Sequence, residues 1–131
     1  MAKQYIIKLS PKEVTRDVGK GEKEPLNVLE KNILMQLFEI ASTYKKKISD
    51  SMLCYDCIQQ IENLKDDDLE LEFTEADIKF LEEGFEATAG VYQGGGEVSG
   101  MAKRPHIWMK KCYKLFEQIK NPKTREDWDK V

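Results

Sequence analysis

Nowhere in these 131 residues is there an apolar run fit to cross a bilayer, which takes about 20 consecutive residues. The first apolar stretch, Tyr5–Leu9, is also far too short for the core of a secretory leader. A soluble, cytoplasmic protein with no membrane association is therefore expected. Histidine is nearly missing as well. His106 is the only one, and no serine or cysteine stands beside it in a nucleophile setting, so a hydrolytic triad has nothing to build on. Cysteines number three, Cys54, Cys57 and Cys112. An odd set fits a reducing compartment better than a disulfide framework.

Two ligand signatures are incomplete in instructive ways. Gly95 and Gly100 have phosphate-loop spacing, but Met101 stands where the lysine belongs, and neither a following Ser or Thr nor a preceding buried strand completes it. The acidic cluster Asp66, Asp67, Asp68, Glu70 and Glu72 lacks the glycine and the twelfth-position carboxylate of a calcium loop. A solvated turn and strand face is the better reading. Without a catalytic or cofactor signature, a non-enzymatic protein with no cofactor is expected.

What the chain does have is helical periodicity. In Asn27–Tyr44, residues Leu29, Ile33, Leu37, Ile40, Ala41 and Tyr44 recur at three- and four-residue steps, one apolar stripe that must be buried. Asn27 and Glu30 stand at capping-box positions, and Lys45–Lys47 suit the negative helix end. A second stripe, Leu53, Cys54, Cys57, Ile58, Ile61 and Leu64, predicts a helix over about 51–64, capped by Ser49 or Asp50 and folded back on the first. Tyr5–Leu9 and Leu69–Phe73 alternate as strands and are expected to pair. Each precedes a capping motif, Ser10-Pro11-Lys12-Glu13 or Thr74-Glu75-Ala76-Asp77. The first should start a short helix stopped by Gly19 and Gly21, the second a helix through Ile78, Leu81 and Phe85. A last long helix should open at Pro105, carry Trp108, Cys112, Leu115, Phe116 and Ile119 on one face, and end at Asn121-Pro122. Thr124 then caps a final turn that docks Trp128. The expectation is an α+β, helix-dominated single domain spanning 1–131, with about four main helices and a small two-stranded sheet. Residues 88–103, rich in glycine, should form a flexible loop.

Charge is unevenly spread. Between Glu62 and Glu86 eleven acidic residues oppose two lysines, a net of −9, and between Lys103 and Arg125 eight basic residues oppose Glu117 alone, a net of +7. The whole chain carries −3, which argues against nucleic acid as a partner. The candidate binding residues are Tyr92, Gly94, Gly95 and Gly96 in the loop and Lys103, Arg104, His106, Trp108, Lys110 and Lys111 beyond it. Cys54, Cys57, His106 and Cys112 could in principle hold zinc. The cysteine pair lies inside a helical pattern rather than on a turn, so packed core thiols are the stronger reading.

The segments KQYIIKLSPKEV, LELEFTEADIKFLEE and HIWMKKCYKLFEQI give the chain a layout that resembles small accessory proteins encoded by tailed phages: a brief N-terminal strand and a lysine- and glutamate-rich helical body. That resemblance implies an adaptor or inhibitor acting on a host protein in the host cytoplasm, or a viral assembly factor that self-associates. A third reading, from the residues themselves, is a binder of a nucleotide or small phosphorylated ligand through the glycine loop and its basic neighbours.

Overall fold

The computed structural model describes residues 3–43, 47–65, 67–93 and 110–130, with backbone alone for 88–93. The described elements run β1 (Gln4–Lys8), β2 (Thr15–Gly19), β3 (Glu22–Pro25), α1 (Leu26–Thr43), α2 (Ile48–Glu62), β4 (Glu70–Thr74), α3 (Glu75–Gln93), α4 (Tyr113–Lys120) and α5 (Arg125–Asp129). The fold is α+β and helix-dominated. It has two small antiparallel sheets among the described residues, β1–β4 and β2–β3, where one was expected.

The predicted pairing of the two alternating segments is present. Ile7 lies opposite Leu71 and Tyr5 opposite Phe73, and Leu71 and Phe73 turn inward while Glu70 and Glu72 face solvent. Thr74 and Asp77 then make the expected capping box, each backbone N–H donating to the other's side chain at 3.0 and 3.2 Å.

The Ser10–Glu13 motif does not behave like its twin. Instead of a helix, the chain turns at Pro11 and enters the β2–β3 hairpin. Val14 and Val18 are the only apolar residues in 14–18, too few for a stripe worth burying, and the β-branched Val14, Thr15 and Val18 favour extended backbone. Gly19, Lys20 and Gly21 are hairpin turn residues rather than a helix stop, with φ of 102°, 54° and 76°. Arg16 and Glu24 clamp the ribbon at 2.9 Å.

Helix α1 is the core. Leu29, Ile33, Leu37 and Ala41 are buried as the stripe requires, and Leu34 and Phe38 are buried beside them, because α2 and α3 both pack on α1. Phe38 meets Phe73 of β4 at 5.5 Å between ring centroids in a tilted pair. In α2 the inner face is Cys54, Cys57 and Ile61, whereas Leu53 turns outward. This helix begins at Ile48 after Lys47, with no side-chain cap from Ser49 or Asp50; Asp50 lies in its first turn, where it complements the helix dipole. Helix α3 runs to Gln93, so residues 88–93 of the expected loop are helical. Alanines favour the helix there, and one glycine, Gly90, costs only about 1 kcal/mol. The rest of that loop lies outside the described residues. The described part of the last helix is interrupted at Cys112 (φ −122°, ψ 42°), and α4 ends at Asn121 as Asn121-Pro122 predicts.

Helices α1 and α3 cross where Gly84 presents bare backbone to Leu37. A Cβ at Gly84 would collide with the Leu37 carbonyl oxygen and lie 2.9 Å from its carbon. Gly84→Ala must therefore force the helices apart, and a loss of about 1–3 kcal/mol is expected in chemical denaturation. Leu37→Ala, which empties a fully buried site in the same crossing, should cost about 2–5 kcal/mol. An unchanged midpoint for either variant would show that the crossing is not the core.

Candidate functional site

Strand β1 pairs with β4 on one side only, and the C-terminal segment covers its other edge. Gln118 of α4 clasps Lys8, accepting from its N–H at 2.7 Å and donating to its carbonyl at 2.9 Å. The Ile6 N–H donates to the Lys123 carbonyl at 2.8 Å, and the Trp128 indole N–H donates to the Ile6 carbonyl at 2.9 Å. Trp128 can reach because Thr124 and Asp127 form a capping box that starts α5. Arg125 adds two hydrogen bonds to Glu70 of β4, at 2.8 and 3.1 Å. Trp128 thus docks as the sequence predicts.

This closure leaves a cleft of about 390 Å³ between the end of β1, the start of α1 and the N-terminal end of α4. Leu9, Val14 and Leu26 give it an apolar wall, and Trp128 and Tyr113 add aromatic surface. Four lysines line it: Lys8, Lys110, Lys111 and Lys114. The Lys8 ammonium lies 4.6 Å from the centre of the Trp128 ring and 3.8 Å from a Glu70 oxygen.

One buried carboxylate also lines the cleft. Glu30 was expected to cap α1 from within its own first turn; it instead reaches across to Ser10, accepting the backbone N–H at 2.7 Å and the hydroxyl at 3.1 Å. Asn27, also read as a cap, donates to the Ser10 carbonyl at 3.3 Å. Both side chains are buried. Burial lifts the Glu30 pKa above the ordinary carboxylate range, against the Ser10 hydrogen bonds and the Lys114 charge, which pull it down.

Of the predicted binding residues, Lys110 and Lys111 line this cleft together with Lys114 of the same basic cluster, and Lys8 joins them from a strand where nothing in the sequence marked it. Tyr92 belongs to the helical backbone of α3. Gly94, Gly95, Gly96, Lys103, Arg104, His106 and Trp108 lie outside the described residues. The cysteines are buried. Burial, with the Asp77 charge beside it, pushes the Cys57 thiol pKa far up, and burial near Glu30 raises Cys112 to about 11. Cys57 thus faces α3, while Cys112 sits beside the cleft. Among the described residues no group of three His, Cys, Asp or Glu side chains is arranged to hold a metal. Nor is any described helix long and apolar enough to cross a membrane.

A second surface escaped the sequence reading. On α2, Ile48, Met52 and Tyr55 are 78%, 60% and 60% exposed, with Leu53 43% exposed beside them. The signal was present, since positions 48, 52 and 55 are spaced by four and three. It was masked by the stronger stripe on the opposite face. No protein-family model, curated protein or solved structure matches the chain.

The raised pKa of Glu30 has a definite consequence for stability. The folded state holds this proton more tightly than the unfolded chain. Glu30 therefore contributes stability at low pH that is lost as pH rises through its folded pKa. Glu30→Gln removes that titration. Its stability relative to the parent chain should climb with pH through this window and level off above it. Denaturation midpoints of both proteins between about pH 4 and pH 8 test this, and parallel curves would place Glu30 in water.

Proposed function

We propose that the chain is a non-enzymatic binding protein that docks on a partner protein through the outward face of α2. The observation that carries this reading is the exposed row Ile48, Met52, Tyr55 with Leu53 at its side, on a helix whose opposite face is already core. A helix needs only one apolar stripe to pack on its own domain. A second, solvent-facing row leaves apolar surface in water unless something covers it. Its composition suits that role. Methionine adapts its shape to irregular surfaces, and tyrosine is an anchor enriched where interfaces bury most. The complementary surface is an apolar groove that takes a helix face, read at positions 48, 52 and 55. The effect would come from occupying that surface, as an adaptor or inhibitor does. On the phage resemblance, the partner is a host protein.

The test is the double variant Met52→Glu, Tyr55→Glu beside the parent chain. Both positions are exposed, so stability should stay within about 0.5 kcal/mol of the parent for each change. Capture of the partner from host lysate should weaken at least tenfold, which is about 1.4 kcal/mol. Light scattering on the bound fraction tells a foreign protein from a second copy of this chain. Equal capture by both proteins would clear the α2 face of any role.

A further inference from the structure

We infer that the lysine-lined cleft beside β1 is a binding site for a small organic phosphate with a planar apolar body, of the size of a mononucleotide. The site is separate from the α2 face and does not depend on its role. Positive charge arrives from two distant parts of the sequence, Lys8 from β1, and Lys110 and Lys111 just before α4 with Lys114 in its first turn. Such convergence is a product of folding and runs against the chain's overall charge of −3. The one carboxylate that lines the cleft among the described residues, Glu30, is already engaged. Both Glu30 oxygens are occupied by Ser10.

Shape and boundaries then select the ligand. About 390 Å³ is at the small end of ligand pockets and too small for a helix or folded partner. The apolar wall of Leu9 and Leu26 and the exposed Tyr113 ring suit a planar body, while the Trp128 ring already carries Lys8 and Lys123 at 4.6 and 4.7 Å from its centre. Acidic groups border the cleft at two of its described margins. Glu70 lies beside Lys8, and Tyr113 also borders a neighbouring cleft that carries Glu82, Glu86 and Glu117. A nucleic-acid strand that followed either margin would meet these carboxylates. A single phosphate would not.

The full chain, isotope-labelled for amide spectra, is titrated with adenosine monophosphate, adenosine and inorganic phosphate in turn. Adenosine monophosphate should give saturable shifts at Ser10, Lys114 and the Trp128 indole. Inorganic phosphate should compete, and adenosine should bind at least tenfold more weakly. Lys114→Glu should weaken the monophosphate at least tenfold, whereas Lys79→Glu, the same charge change on α3, should alter it less than about twofold. If the amide spectrum shows Lys114→Glu unfolded, Lys110→Gln replaces it. Absent or unsaturable shifts at the cleft, adenosine binding as tightly as its phosphate, or equal weakening by the α3 variant would each overturn the assignment.

Discussion

Where α3 crosses α1, Gly84 lies so close to the Leu37 carbonyl that no side chain fits between them, and this approach sets the spacing of the whole molecule. Close backbone contact lets Ile33, Leu34, Leu37 and Phe38 reach neighbours on both sides of α1. Phe38 then reaches Phe73 of β4, and Leu81 of α3 joins the same core. Since β4 is continuous with α3 through the Thr74–Asp77 box, the crossing also fixes where the sheet lies. The sheet in turn positions β1 and everything that closes over it.

That second step makes the cleft. A two-stranded sheet is marginal by itself and leaves an unpaired edge. Here the edge groups of Ile6 and Lys8 are satisfied by Lys123, Trp128 and Gln118 rather than by a third strand. Side chains and a single backbone contact do not lie flush as a strand does. The gap that remains is lined by whatever residues come there, and four of them are lysines. The pinning of Ser10 by Glu30 and Asn27 holds the opposite wall. Stability and site therefore draw on the same few contacts.

Much of this was legible in sequence where a local pattern and a burial requirement agreed. The segments around Ile7 and Leu71 alternate and pair. In the α1 stripe Leu29, Ile33, Leu37 and Ala41 are buried and Ile40 half-buried, while Tyr44 lies outside the described residues. Three segments share a Ser/Thr-x-x-Asp/Glu signature, and they show where such reading stops. Thr74–Asp77 and Thr124–Asp127 become capping boxes because residues that pack follow them, Ile78 and Leu81 in one case and Trp128 in the other. Ser10–Glu13 is followed by Val14 and Val18, both left exposed, so no helix is rewarded by burial there. The motif offers a start, and packing decides whether it is used. Glu30 shows the same competition. Its spacing from Asn27 suits a cap, yet Ser10 supplies two donors from across the chain and takes the carboxylate.

The two candidate surfaces were harder to read, each for its own reason. Lys8 and Lys114 are 106 positions apart, and only the docking of α4 on β1 makes them neighbours. On α2 the difficulty runs the other way. Both apolar rows are visible, but periodicity does not say which of two opposed faces meets the core. The buried choice follows from cross-sectional fit: α2 presents Cys54 and Cys57, small enough for close approach, to α1 and α3. The larger Met52 and Tyr55 remain outside. The inner face thus mixes two small thiols with the large Ile61, while large apolar residues also remain in water on the outer face. A helix arranged that way has its close-packed side set by its own fold and its bulky side free for another surface.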